Sequence, residues 1–380
     1  MDFSFTNEQE ALRSHVQELL DGVCTPEYAQ RCDERAEPPR AAYEALGKHG
    51  WLGLIIPPEH GGSGASAIEL AILLEECGRH FEELGMWVFR TITYGGYAVM
   101  KDGTPGQKAQ LLPKVARGEL TFCFGLSEPN AGSDAAAVAT RAVSAGEDYV
   151  INGQKVFTSG MDLSDYCLLV TRTSTGARKQ QGITTFLVDT KLPGIEVKKI
   201  ATLGQRAIGT TQVFYSDVKV PASAVLGKVD HGWEQVDSYL WYERLCLSAA
   251  RTGAASAAFD YALNYAKTRK QFDRPIGSFQ AISHKLADMR VMLDVSRTLV
   301  YRFAWLLNEG KATRHDAAVL KLYTSESYKA VSDLGLQILG GYGYCMEYPM
   351  QRFFRDSRLA TIGAGTSEIQ RNIIARGLGL

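Results

Sequence analysis

Several things are scarce in these 380 residues. There are seven cysteines, an odd number, widely spaced at 24, 32, 77, 123, 167, 246 and 345 with no Cys-x-x-Cys pair. That pattern argues against a disulfide framework or a thiolate zinc site and fits reduced, buried thiols. The seven histidines form no His-Glu-x-x-His or other paired-ligand arrangement, so no metal is expected. Charge is nearly balanced at a formal −1, which gives no reason to expect binding to nucleic acid or to a membrane surface. No apolar run approaches the roughly 20 residues that span a bilayer. The N-terminus, MDFSFTNEQE, has no basic stretch leading into an apolar one, so a cytoplasmic location is expected. No repeat or low-complexity tract appears.

What is present divides into three textures, with expected boundaries at 1–118, 119–232 and 233–380. The first region reads as helical. Ala41 to Leu46, Ile68 to Cys77 and Gln107 to Val115 carry apolar positions three or four apart, separated by breaks such as PPEHGGSG and DGTPGQ. The second turns to short strands: TFCFGLSE, YVINGQKVFTS, YCLLVTRTS, GITTFLVDT and TTQVFYSDVKVP. Within it, Asn152-Gly153 between apolar residues predicts a two-residue hairpin. Long helices return in the third. Ile282, Leu286, Met289, Leu293, Ser296, Val300, Phe303 and Leu307 alternate steps of four and three, the seam of a helix in a bundle. A helical chain interrupted by a β domain leaves a crevice between layers, where cofactors tend to bind.

The glycine clusters GGSG (61–64), GGYG (340–343) and GAGT (363–366) fail as nucleotide loops, because none joins a strand to a helix in a βαβ unit. More specific is FGLSEPNAGSD, residues 124–134. With KVFTSG (155–160), RKQFDRPIGSFQ (269–280), QILGGYGY (337–344) and IGAGTSEIQRNIIAR (362–376), it resembles the signature segments of the acyl-CoA dehydrogenase family. The resemblance covers the whole chain. It implies an α+β fold: an N-terminal helical domain, a central β-barrel or sandwich-like domain, and a C-terminal four-helix bundle.

Carried over position by position, the resemblance implies FAD contacts at Phe124, Leu126, Ser127, Gly132 and Ser133, with Ser133 also close to the acyl-CoA. Phe157 stands where the family usually has a Trp over the flavin, and Ser159 where it has a Thr. Arg269, Gln271, Phe272 and Gln280 would reach a neighbouring subunit's FAD, as would Gln337, Gly340 and Gly341. Thr366 and Glu368 match further FAD positions. A site shared between chains implies that a monomer could not work; the resemblance further implies a homotetramer and electron-transfer flavoprotein as the electron acceptor.

One departure matters. The residue before Gly-Thr is commonly the catalytic glutamate, and here it is Ala364. The segment SYLWYERLCLSAAR (238–251) resembles the helix that carries the base in the isovaleryl-CoA and long-chain branches. It offers Glu243 as the base and Arg244 beside it as a substrate contact. A Glu-Arg pair on a helix most often faces solvent, yet the flanking residues Leu240, Trp241, Tyr242, Leu245, Cys246 and Leu247 are apolar or aromatic. Burial among them would raise the carboxyl pKa toward neutrality, which suits a general base. The resemblance also implies that the backbone N–H of Ala364 meets the thioester carbonyl, a role that survives the loss of the Glu side chain. Arg90, in MWVFRTITYGG, counts back without gaps to the base of an acyl pocket and would favour a chain with a distal carboxylate or other polar end.

The expected activity is FAD-dependent α,β-dehydrogenation of an acyl-CoA. Three other readings stay open: a dehydrogenase of acyl or aminoacyl groups tethered to an acyl-carrier protein, an enoyl-thioester reductase, and a catalytically idle scaffold paralogue.

Overall fold

The computed structural model describes residues 4–380. Its first part is helical: α1 (Asn7–Val23), α2 (Pro26–Arg35), α3 (Arg40–Lys48), α4 (Ala67–His80), α5 (Glu82–Arg90), α6 (Ala98–Asp102) and α7 (Pro105–Ala116). Local chemistry sets several starts. Thr6 with Gln9, Ser66 with Glu69 and Thr104 with Gln107 form reciprocal capping boxes that satisfy the free N–H groups at a helix end. Between α5 and α6, residues Thr91–Tyr97 wind as a π-helical turn. Gly95 is required there, because a Cβ would stand 2.3 Å from the Phe122 ring. Such wide turns re-aim side chains and recur at functional sites.

The strands are β1 (Phe122–Gly125), β2 (Arg141–Ala145), β3 (Asp148–Ser159), β4 (Tyr166–Arg172), β5 (Ile183–Asp189), β6 (Ile195–Ile200), β7 (Thr210–Pro221) and β8 (Val225–Leu226). They form one mixed sheet in the order β6-β7-β3-β2-β4-β5-β8. β1 and β2 both join β4 in parallel, β1 at Tyr166–Leu169 and β2 at Arg172. The sheet therefore divides at β4, and the chain leaving β1 runs into the division.

Asn152-Gly153 is not a hairpin, contrary to expectation. It lies inside β3, where the pairing with β7 slips between Ile151 and Gly153. The Asn152 side chain donates to Asp217 Oδ1 at 3.0 Å and accepts from the Asp217 N–H at 2.9 Å, which holds Asp217 at φ +52°. A Cβ on Gly153 would sit 2.7 Å from Thr140, so the glycine serves a bulge and a close approach. The hairpin turns instead at Gly146-Glu147, closed by the Ala145–Asp148 pair.

Helices resume with α8 (Gly232–Thr268), followed by a small hairpin of β9 (Lys270–Gln271) and β10 (Arg274–Pro275). Then come α9 (Gln280–Asn308), α10 (Arg314–Leu339), α11 (Met350–Ala360) and α12 (Ser367–Gly377). On α9 the predicted seam is the core face: Leu286 through Phe303 are buried and Ile282 and Leu307, at the ends, half-buried. α4 crosses α8 at two glycines. A Cβ on Gly78 would lie 1.9 Å from the Ala250 carbonyl oxygen, and one on Gly253 1.9 Å from that of Glu75.

Carboxylates tie the three regions together. Glu83 of α5 accepts from the Ile208 N–H at 2.7 Å, and Glu82 accepts from Gln205 Nε2 and Tyr328 Oη, each at 2.9 Å. Asp356 of α11 accepts from the Gln205 N–H at 2.6 Å. Burial raises the Glu83 carboxyl to about 7, with the Asp33 and Glu82 charges adding to the rise against the N–H groups of Ile208 and Ala207. A folded pKa above the unfolded one makes the folded chain the stronger proton binder between the ordinary carboxylate range and about 7. This contribution to stability is thus complete at the acid end and lost as pH rises. Glu83→Gln, which keeps an acceptor for Ile208 but cannot ionise, should gain on the parent in melting temperature between pH 5 and pH 7.5. Thermal melts of both proteins across that range decide it; a constant difference means Glu83 stays ionised.

Candidate active site

Glu243 projects from α8 into the interior and is 8% exposed. Its Oε2 has no hydrogen-bond partner. Burial raises its pKa, opposed by Tyr94 and by the charges of Arg244, Arg251 and Arg90. A buried carboxyl held above its usual range, with one oxygen unpartnered, is chemically suited to accept a proton. Tyr94 comes from the π-helical turn, and its ring stacks on Phe124 at 4.6 Å. Glu243 is thereby connected through one ring to the strand end that the sequence marks as a flavin segment.

The 363–366 loop is built to present its backbone. Ala364 has φ +55°, a left-handed conformation that costs an L-residue with a side chain about 1–2 kcal/mol. Lys321 of α10, fully buried, donates to the Gly365 carbonyl at 2.7 Å. Gln370 Nε2 donates to the same carbonyl at 3.0 Å and to that of Ala364 at 3.3 Å. With both carbonyls engaged, the Ala364 N–H makes no hydrogen bond among the described residues. Burial depresses Lys321 to about 7, with Arg251 and Arg244 adding to the fall and Glu243 opposing it. Lys321 thus couples the loop to the surroundings of Glu243. Thr366 caps α12 by accepting from the Ile369 N–H, and Glu368 lies exposed in its first turn.

The segments after β1 and within β3 come together in the divided sheet. Buried Lys155 donates to the Leu126 carbonyl at 3.0 Å and to Glu128 at 2.7 Å, and the Val156 N–H donates to the Ser127 carbonyl at 2.9 Å. Glu128 also accepts from the Ala139 and Thr140 N–H groups. Gly132 and Ser133 follow on an exposed loop. Phe157 is no ordinary buried strand residue. It sits at a second slip in the β3–β7 pairing, at φ +58°, and is 65% exposed. Ser159 Oγ reaches Thr210 Oγ1 at 3.4 Å.

The remaining segments meet elsewhere. Arg269, Gln271, Phe272, Gly340 and Gly341 line one cavity of about 650 Å³, together with Tyr265, Ile276, Phe279, Ile282, Ile338, Leu339, Tyr342 and Cys345. Gln280, the first residue of α9, and Gln337, near the end of α10, are exposed and do not line it. Phe272 and Asp273 both have positive φ, and the Phe272 ring is 86% exposed. Nothing from the 124–133 or 155–159 segments lines this cavity.

Models of the N-terminal, middle and C-terminal domains of acyl-CoA dehydrogenase match residues 6–119, 123–218 and 230–379. This chain belongs to the acyl-CoA dehydrogenase family. It is 37% identical over 382 residues to a probable acyl-CoA dehydrogenase of Bacillus subtilis, covering 100% of both chains. It is 36% identical over 375 residues to a 3-(aryl)acrylate reductase of Clostridium sporogenes, covering 98% of this chain and 99% of the other. The butyryl-CoA dehydrogenase structure from Megasphaera elsdenii superposes with a TM-score of 0.96 at 30% identity, covering 100% of each chain.

The acyl-CoA dehydrogenase family member described here is therefore an FAD-dependent oxidoreductase. Its residues suit the cofactor. Phe157 and Phe272 are large rings held out to solvent on strained backbone, a cost that persists only where something offsets it. Gly340 and Gly341 leave open space where a Cβ would stand, so a ligand can lie against the main chain. Arg269, which lines the 650 Å³ cavity, carries a fixed positive charge of the kind that suits a diphosphate.

Sequence reasoning did not single out Tyr94, Lys155 or Lys321. Lys321 carries the signal that argued for burial of Glu243: a charge inside an apolar helical run, AAVLKLY. Tyr94 has no such mark, because its role depends on the π-helical turn.

Proposed function

We propose that this enzyme oxidises an acyl-CoA to its trans-2-enoyl-CoA, with Glu243 as the base that removes the α-proton. The observation that carries this reading is the buried Glu243 carboxyl with one unpartnered oxygen. Lys321 links its surroundings to a loop whose Ala364 N–H is free. Bound FAD supplies the acceptor for the β-hydride. The free Ala364 N–H donates to the thioester carbonyl, lowering the cost of the enolate-like charge that develops as the α-proton leaves. Lys321 and Gln370 hold that loop in its left-handed turn. Arg244, buried with Nε and Nη1 unpartnered, adds positive charge beside the base. Its pKa is lowered by burial, which Glu243 and Asp237 oppose.

The FAD would lie along Phe124, Leu126, Ser127, Gly132, Ser133, Phe157, Ser159, Thr366 and Glu368 of one chain. Arg269, Gln271, Phe272, Gln280, Gln337, Gly340 and Gly341 of another chain would complete it. The separation of the two groups within one chain supports this division. It requires at least two chains at each site; the active form would be a homotetramer, and the reduced enzyme would pass electrons to electron-transfer flavoprotein.

The test is anaerobic bleaching of the flavin across an acyl-CoA panel, with matching acyl-carrier-protein thioesters beside it. The purified protein should be yellow, elute as a tetramer with stoichiometric FAD, and bleach with at least one saturated acyl-CoA. Bleaching by carrier-protein thioesters alone would move the substrate to the tethered class. Reoxidation of the reduced enzyme by enoyl-CoAs, without bleaching by any saturated thioester, would make it a reductase.

A further inference from the structure

We propose that Lys155 is a positioning residue for the flavin: through the Leu126–Ser127 peptide it strengthens the Ser127 N–H as a donor, and so raises the reduction potential of bound FAD. The proposal rests on the placement of FAD along the 124–133 segment and adds what sets its redox poise.

Lys155 lies in β3 and is fully buried. Its ammonium donates to Glu128 Oε1 at 2.7 Å and to the Leu126 carbonyl at 3.0 Å. Its stem passes beneath the end of β1, where a Cβ on Gly125 would stand 3.7 Å from Lys155 Cγ. Glu128 is held in turn by the Ala139 and Thr140 N–H groups, at 2.7 and 2.9 Å. Burial would raise this carboxyl, but Lys155 and the two N–H groups outweigh it and leave it below the usual carboxylate range. Burial lowers Lys155 to about 8 against the attraction of Glu128, so at neutral pH the pair is ionic. Apolar residues of like volume ordinarily serve a fold as well as a buried ion pair does. Stability alone therefore gives no reason for a lysine here.

The peptide that Lys155 touches gives one. The Leu126 carbonyl and the Ser127 N–H are opposite ends of one planar unit and point in opposite directions. Lys155 occupies the first end. The second makes no hydrogen bond among the described residues, because the chain leaves β4 after Gly125. A cation on a carbonyl polarises its peptide and makes the N–H at the far end a stronger donor. Since the ion pair is neutral as a whole, its influence falls on this peptide more than on the wider site. The Val156 N–H, donating to the Ser127 carbonyl at 2.9 Å, sets Ser127 beside the residue that precedes the exposed Phe157 ring. A free, strengthened donor thus stands close to the ring that the sequence places over the flavin. Reduction brings two electrons and one proton to a flavin and so adds one negative charge, which collects at its polar edge. A strengthened donor at that edge favours the reduced form over the oxidised one.

The midpoint potential of the holoenzyme, read anaerobically against a reference dye at saturating FAD and without substrate, tests this. Lys155→Met combined with Glu128→Gln removes both charges and keeps an acceptor for the Ala139 and Thr140 N–H groups. Its preference for reduced over oxidised FAD should fall about 10-fold, the margin between a charge-assisted and a neutral hydrogen bond, which lowers the potential by about 30 mV. Lys155→Gln, which offers the Leu126 carbonyl a neutral donor, should lie between that protein and the parent. Titration of the apoproteins with oxidised FAD gives the affinity separately. A lysine that only braces the fold would loosen both forms alike, so weaker binding at an unchanged potential overturns the proposal, as does a potential that rises. Phe157→Ala checks the placement of FAD itself, since losing that exposed ring should weaken FAD binding whatever Lys155 does. Weaker binding in Phe157→Ala with no Lys155 effect on the potential sinks this proposal alone. A Lys155-dependent potential in a protein that no saturated thioester bleaches sinks the oxidation reading alone.

Discussion

Glu243→Gln should keep its FAD and its affinity for thioesters while losing flavin reduction by a factor on the order of 10² or more, as for a lost general base. The substitution is nearly isosteric, and Oε2 has no partner to lose in the unliganded protein, so the fold has little reason to change. The parent's rate should rise with pH through the raised Glu243 pKa, because the base must be ionised, and the variant should lack that limb. Stopped-flow reduction at several pH values reads both effects. Placing Glu at 364 in the Gln background should restore part of the rate, since the left-handed backbone there already tolerates a side chain. A Gln variant that bleaches as fast as the parent would remove Glu243 from the chemistry.

Gly253→Leu should leave little or no folded protein, and Gly253→Ala should melt well below the parent. A Cβ at this position meets the Glu75 carbonyl, which is main chain within a buried helix and cannot turn aside. Overpacking ordinarily costs about 1–3 kcal/mol, and a collision with backbone belongs at or above the upper end. Relief requires α8 to move off α4. Ten residues upstream α8 carries Glu243, so any Gly253→Ala protein that folds should also reduce its flavin more slowly. Gly22→Ala is the control, because nothing lies within 4 Å of the added methyl on α1. Equal melting temperatures for parent and Gly253→Ala would mean that the helices do not approach as described.

What could be read from the sequence was mostly local. The helical texture of the first region held because apolar spacing and Gly/Pro breaks act within a few residues. The α9 seam is buried because its spacing leaves one face to bury. Asn152-Gly153 misled because a hairpin and a bulge use the same residues. The choice rested on Asp217 and Thr140, each contacting the pair from another part of the chain. Glu243 was legible through the family resemblance of its helix, and its burial through its apolar neighbours. The left-handed backbones of Phe157 and Ala364 were not, since nothing local asks an aromatic or a methyl-bearing residue to adopt them. Tertiary partners impose them: the pairing slip opposite β7, and the paired grip of Lys321 and Gln370.

The 203–208 loop belongs to the β region by sequence, yet carboxylates of α5 and α11 hold it. This has a bearing on inheritance. A β region exchanged between relatives brings its own sheet intact, but its loop must meet Glu82, Glu83 and Asp356 at the right length. A loop of another length would therefore disturb the bonds to all three carboxylates at once, although they lie on two helices far apart in the chain. Chimeras joined at the edges of the β region should inherit a working sheet together with a mismatched clasp.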